Sequence, residues 1–137
     1  MKIIAPSFEI LEMGINLDAP KAAEYGGRKC YQSTHKIGDG TWRKFVEMVA
    51  TRGHTSVLEH GSLYFEIDFI DDEPVCDEAF HDVLESPHTV ISIDDDNRAR
   101  VYTNLRVIQE HHVELFGAIM DGDIGEFHWL DFFTPAI

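Results

Sequence analysis

The stretch Leu63-Tyr64-Phe65-Glu66-Ile67-Asp68-Phe69-Ile70 alternates large apolar side chains with polar or mixed ones. This period of two, rich in aromatic and β-branched residues, predicts a half-buried β-strand. Two further apolar runs, 89–93 and 99–102, flank the polar segment 94–98 and predict a hairpin. The chain therefore carries strands that can pair in an antiparallel sheet.

Helical patterns surround these strands. Asp18-Ala19-Pro20 is a typical helix start, and the helix that follows should end near Cys30 or Tyr31. A second helix is predicted over Thr41–Arg52 and closed by Gly53. Its expected apolar stripe is Trp42, Phe45, Val46, Met48 and Val49.

The rest of the chain predicts two more helices. One falls within 71–86 and is ended by Pro87, and the other runs from about Thr103 to Met120 as one helix. A short strand is expected within 2–10, and the tail 127–137 is apolar without a period. Together these elements predict an α+β fold, an antiparallel sheet packed against helices, in a single domain over 1–137.

Composition limits the function classes. With 25 acidic and 11 basic side chains the 137-residue chain has a formal charge of −14, which opposes nucleic acid and anionic membrane partners. No membrane span or signal peptide is indicated, so we expect a cytoplasmic protein. The two cysteines, Cys30 and Cys76, are far apart and predict reduced thiols.

The segment Arg52-Gly53-His54-Thr55-Ser56-Val57-Leu58-Glu59-His60 lies between a predicted helix and the decisive strand. Ser56 and Glu59 have the spacing of a capping box, which would explain both residues structurally. His54 and His60 fit either a helix end or a ligand pocket. These alternatives stay open from the residues alone.

Four ordered elements resemble the flavin-dependent thymidylate synthase (ThyX) family. The segment 53–60 is similar to its Gly-His-x-Ser-x-x-Glu-His element, and 27–33 to its Gly-Arg-x-Cys-Tyr-x-Ser element. The segment 3–11 resembles its opening strand, and 102–106 its Asn-x-Arg element. The resemblance is close over 1–70 and loose over the strand and helix of 99–120; the stretch 71–98 is divergent and shortened, and 121–137 is an apolar tail.

The resemblance implies a ThyX-like fold and a homo-oligomer with sites between subunits. It also implies FAD as cofactor, NADPH as reductant, and methylene transfer from methylenetetrahydrofolate to dUMP, with a flavin or nucleotide as the small-molecule partner. On residue-by-residue transfer the cofactor-binding residues would be His54, Ser56, Glu59, Asn104 and Arg106. It assigns no catalytic residue.

One departure from the family concerns its Arg-His-Arg element. At that place the chain has the acidic segment 71–78, and no arginine occurs between Arg52 and Arg98. Guanidinium groups bind phosphate as a bidentate fork, whereas carboxylates repel it. An alternative is therefore a non-catalytic flavin-binding, nucleotide-binding or oligomeric scaffold protein derived from the family.

Because adjacent His111 and His112 would point to different helix faces, we expect no metal site there.

Overall fold

Four antiparallel strands and five α-helices form the structure over residues 19–121, the range that a computed structural model describes. The helices are α1 (Ala19–Cys30), α2 (Thr41–Thr51), α3 (Glu78–Glu85), α4 (Leu105–His111) and α5 (Val113–Asp121). The strands are β1 (Ser62–Ile70), β2 (Glu73–Pro74), β3 (Val90–Ile93) and β4 (Arg98–Asn104). Short 3₁₀ helices occupy Thr34–Lys36 and Thr55–His60. The predicted α+β class is confirmed.

The sheet has the order β2-β1-β4-β3, and every neighbouring pair is antiparallel. In the central pair Phe65 lies opposite Val101, and Ile67 lies opposite Ala99. These side chains face the helices and are buried, which is the pattern expected when only one face of an antiparallel sheet covers the core. The predicted central strand and the 94–98 hairpin turn are both confirmed.

One hydrophobic core lies between this sheet face and the helices. Its fully buried side chains include Phe80, Leu58, Leu63, Ile67, Leu105 and Ile108, which belong to α3, the 3₁₀ helix Thr55–His60, β1 and α4. The aromatic ring of Phe80 meets that of Phe65 edge to face, with 5.4 Å between centroids.

Within residues 19–121 no helix is long and apolar enough to cross a membrane.

Close helix packing depends on two small residues in α1. A Cβ built on Gly27 would lie 2.5 Å from Phe45 Cζ and 2.6 Å from Val57 Cγ1, and one built on Gly26 would lie 2.4 Å from the His60 ring. Because both residues lack a side chain, α1 packs directly against α2 and the 3₁₀ helix Thr55–His60 at this point. The predicted end of the helix near Cys30 is confirmed.

Three predicted elements differ from the structure. The helix within 71–86 starts only at Glu78, because Asp71 and Asp72 both have positive φ (51° and 65°) and form the two-residue turn of the β1–β2 hairpin. The helix over 103–120 is two helices that meet at His112, whose φ and ψ are −139° and 80°. Met48 was expected in the apolar stripe of α2 but is 38% exposed, since the buried face consists of Phe45, Val46 and Val49.

The expected strand within 2–10, the Asp18 cap and the apolar tail from 122 onward lie outside the described residues. The single domain over 1–137 stays a prediction.

Candidate functional site

The segment that carries the family resemblance begins at the end of α2. Gly53 has φ +75°, its N–H donates to the carbonyl of Ala50 at 3.3 Å, and the N–H of His54 donates to the carbonyl of Val49 at 2.9 Å. This pair of bonds is a Schellman end, in which glycine takes the left-handed position. The predicted cap at Gly53 is confirmed, and it leaves the His54 side chain exposed.

The 3₁₀ helix Thr55–His60 follows, and its start carries no side-chain cap hydrogen bond. The predicted Ser56–Glu59 capping box is therefore wrong. A capping box needs the first turn of an α-helix, whereas this segment turns more tightly, and the Glu59 carboxylate is engaged elsewhere. Leu58 is fully buried and anchors the helix, while Ser56 is exposed and makes no side-chain hydrogen bond among the described residues.

Glu59 binds Arg106, which lies 47 residues further along the chain. Nη1 of Arg106 donates to Oε1 of Glu59 at 2.5 Å, and Nε of Arg106 donates to Oε1 of Glu110 at 3.0 Å. These hydrogen bonds, first to Glu110 and then to Glu59, raise the pKa of the Arg106 guanidinium above its usual range. The structure thus joins two of the separately predicted site residues in one cluster, Glu59–Arg106–Glu110.

Asn104 has a structural task in this cluster. Its Oδ1 accepts the N–H of Val107 at 3.2 Å, so Asn104 is the N-cap of α4. The cap fixes the start of the helix that carries Arg106. Asn104 therefore acts on the site through the position of α4.

A pocket of about 360 Å³ opens beside His54. Its lining is mostly apolar and comes from Tyr31 after α1, Met48 and Val49 of α2, Arg52 and His54. Tyr31 is 60% exposed. Tyr31, Met48 and Arg52 were not predicted as pocket residues. Tyr31 lies in the family-like element 27–33 without a predicted role, and Met48 fits the apolar period of α2.

His60, the other histidine of the segment, packs on α1. Its ring occupies the space that a side chain at position 26 would fill, with Cγ only 2.4 Å from a Cβ built on Gly26. Of the two histidines that could serve a pocket, the structure places only His54 at the wall of the one beside α2.

A second polar cluster lies where α4 meets α5. His112 is buried, its Nε2 lies 2.8 Å from Oδ2 of Asp77, and its Nδ1 accepts the N–H of Leu115 at 3.1 Å. An unprotonated Nδ1 assigns the proton to Nε2, which therefore donates to Asp77. Asp77 also accepts the N–H of Phe80 at 2.9 Å as the N-cap of α3. The cluster thus ties α3 to the break between α4 and α5.

The neighbouring Cys76 is buried, and Cys30 is exposed; both are free thiols. Burial, with the nearby charge of Asp77, raises the pKa of Cys76 to about 11. Within residues 19–121 no group of three or more His, Cys, Asp or Glu side chains is arranged to hold a metal ion.

The acidic segment 71–78, which stands where the resemblance leads one to expect arginines, forms the β1–β2 turn, strand β2 and the start of α3. Asp71, Asp72 and Glu73 are all exposed. The segment itself supplies no guanidinium group, since it contains no arginine.

One curated relative supports the resemblance inferred from the motifs. A protein of Mycobacterium phage L5 named "Probable flavin-dependent thymidylate synthase" is 36% identical to this chain over 55 residues. The match covers 39% of this chain and 23% of the phage protein, less than a quarter of its length. No family model matches the chain, and no solved structure matches it significantly.

Proposed function

We propose that this protein binds a flavin nucleotide, FAD, at the surface formed by the segment Gly53–His60 and the start of α4, in the manner of the flavin-dependent thymidylate synthases that it resembles. The observation that carries the proposal is the contact between Glu59 and Arg106. Each residue belongs to a different element of the resemblance, and the fold brings the two elements together.

The pocket beside His54 suits the ring system of a flavin. Tyr31, Met48 and Val49 supply apolar walls, and the imidazole of His54 supplies a polar edge. A binding site of this kind, apolar with few placed polar groups, is typical for a planar heterocycle. The exposed Arg52 is the cation in its lining that suits a phosphate group.

Arg106 is less suited to phosphate, because its guanidinium already binds two carboxylates. Its role in the proposal is to hold Glu59, and thereby the 3₁₀ helix, against α4. A bound flavin would supply hydride transfer, with NADPH as the external reductant. The chain's own residues would orient the ring and exclude water from one side of it.

The absorbance spectrum of the purified protein tests the proposal. We expect bands near ~370 and ~450 nm, which report oxidised flavin, or their appearance after incubation with FAD and gel filtration. His54→Ala should lower the flavin content, and the matched variant His88→Ala, in an exposed loop outside the pocket, should leave it unchanged. A colourless protein that retains no FAD would contradict the proposal.

A second candidate is a flavin-binding or nucleotide-binding protein that lacks thymidylate synthase activity. The observation that favours it is the exposed acidic turn at Asp71–Glu73, where the family resemblance calls for arginines. Loss of charge-assisted hydrogen bonds worth about 1.5–3 kcal/mol each would weaken dUMP binding by orders of magnitude. Calorimetry separates the candidates: micromolar dUMP binding supports the synthase, and flavin binding without dUMP binding supports the second candidate.

A further inference from the structure

Strand β3 lies at one edge of the described sheet, where its only neighbour within residues 19–121 is β4. All four of its residues are exposed, and Ile91 and Ile93 are exposed to 40% and 56%. The strand contains no charged residue and no proline, the residues that commonly protect a sheet edge from pairing. β3 therefore presents an open edge with apolar side chains.

The hydrogen bonds at the end of β3 show which of its backbone groups are turned outward. The N–H of Asp94 donates to the carbonyl of Arg98 at 3.0 Å, so this pair is hydrogen-bonded. Hydrogen-bonded pairs alternate along an antiparallel ladder. In the register of β3 with β4 the even-numbered residues of β3 therefore bond to β4, and the N–H and C=O groups of Ile91 and Ile93 point away from it.

The bonds of β4 to its other neighbour agree with this phase. The N–H of Leu105 donates to the carbonyl of Gly61 at 2.8 Å, and the N–H of Phe69 donates to the carbonyl of Asn97 at 2.9 Å. Odd-numbered residues in and next to β4 therefore bond to β1, which leaves the even-numbered residues of β4 for β3.

The side chains at this edge set the chemistry of a strand that could pair with it. Ile91 and Ile93 lie opposite Val101 and Ala99, which are fully buried, so both isoleucines stand at the rim of the face that covers the core. A residue paired directly with either isoleucine would place its side chain on the same face. Apolar side chains at those two positions would cover the exposed isoleucines and extend the core.

The turn that follows β3 adds negative charge at one end of the edge. Oδ1 of Asp94 accepts the N–H groups of Asp96 and Arg98, both at 3.0 Å, so this carboxylate is used within the turn. Asp95 and Asp96 are exposed. The nearby guanidinium of Arg98 pairs with Asp68 of β1 at 3.1 Å. The exposed carboxylates at this end therefore suit a cation from another molecule.

We propose that β3 binds an extended segment of a basic partner protein, which adds a further antiparallel strand to the sheet. The segment carries apolar residues opposite Ile91 and Ile93, and a Lys or Arg beyond them that meets Asp95 and Asp96. The formal charge of −14 favours a basic partner over a second copy of this chain.

A labelled peptide with arginine at each end of a valine–threonine–valine–threonine–valine run tests the pairing. Fluorescence anisotropy should show binding with a Kd at or below about 1 mM, weakened by salt. N-methylation of the valines, whose N–H groups would face β3, should weaken binding at least tenfold, because those hydrogen bonds are lost. N-methylation of the threonines is the matched control and should leave the affinity unchanged, because their N–H groups face away.

Variants of the protein locate the binding at β3. The double variant Asp95→Lys, Asp96→Lys should weaken peptide binding at least tenfold. Glu47→Lys with Glu114→Lys is its control, since it changes the net charge equally at exposed positions of α2 and α5 and should have a much smaller effect. Ile91→Pro removes one outward N–H and no bond to β4, so it should also weaken binding, and thermal melts verify that each variant folds.

No binding by the wild type, or equal affinity for both methylated peptides, would overturn the proposal. Equal affinity of the wild type and the Asp95–Asp96 variant would do the same. A wild-type dimer in gel filtration that Ile91→Pro dissociates would assign the edge to a second copy and contradict the basic partner. β3 contributes no residue to the described lining of the His54 pocket, so the outcome is independent of flavin binding.

Discussion

Arg106 of α4 and Glu59 of the 3₁₀ helix Thr55–His60 form an ion pair across 47 residues of sequence, at 2.5 Å. Strands β1 and β4 lie at the centre of the sheet, and the pair connects the segment before β1 to the helix after β4. Because both residues are partly exposed, the pair fixes the 3₁₀ helix against α4 and adds little to the stability of the fold.

We therefore expect Glu59→Gln and Arg106→Gln to act non-additively. Each variant should lower the melting temperature by no more than about 5 °C, and the double variant by less than the two single effects combined. Melts in low and high salt measure this, and the coupling should shrink in high salt. Additive effects at low salt would show that the two side chains do not interact in solution.

Asn104→Ala should destabilise the protein by about 0.5–2 kcal/mol, because the N–H of Val107 loses its cap. Asn104→Asp keeps an acceptor oxygen and should retain most of the stability. Urea denaturation compares the three proteins. Equal midpoints for the alanine variant and the wild type would remove Asn104 from its assigned role at α4.

Two glycine substitutions should have opposite signs. Gly27→Ala should destabilise the protein by about 1–3 kcal/mol, because the new methyl group meets Phe45 and Val57. Gly117→Ala, in α5, where residues 19–121 place no atom within 4 Å of the added Cβ, should stabilise it by up to about 1 kcal/mol through helix propensity. Chemical denaturation measures both, and a destabilising Gly117→Ala would show that α5 is covered where we find it open.

The thiols should differ in reactivity and in pH dependence. A thiol reagent should modify exposed Cys30 rapidly and buried Cys76 only slowly. Because folding raises the pKa of Cys76 from 9.0 to about 11, the unfolded state loses this proton first, and the free energy of unfolding should fall as pH rises from about 9 to about 11. Cys76→Ala should flatten that part of the stability curve, which urea melts at several pH values can follow; equal labelling rates for the two thiols would contradict their assigned burial.

Much of the fold follows from local patterns. The alternation over 63–70 and the helical period before Gly53 depend on neighbours within a few residues, and both predicted elements are present. The helix predicted within 71–86 does not include 71–77, because the turn there uses two aspartates at positive φ in place of the usual asparagine and glycine. The single helix predicted over 103–120 is interrupted at His112, whose Nε2–H is accepted by Asp77, 35 residues away.

The candidate site shows the same division. The family resemblance predicts Glu59 and Arg106 as site residues, but local spacing predicts a capping box for Glu59, whereas its partner comes from another part of the chain. Tyr31 lies in the element 27–33 without a predicted site role, and Met48 carries no motif; the packing of α1 beside α2 makes both of them neighbours of His54. Residues that meet through tertiary structure are the ones that a single sequence does not reveal.

Hydrogen exchange of the protein with and without FAD tests the central claim, that the two elements form one flavin site, most directly. We expect FAD to slow amide exchange in two separate stretches, 48–60 around His54 and 103–110 around Arg106, while β3 at the sheet edge stays unchanged. Protection of only one stretch, or of neither at saturating FAD, would contradict the claim that the Glu59–Arg106 contact assembles a single site.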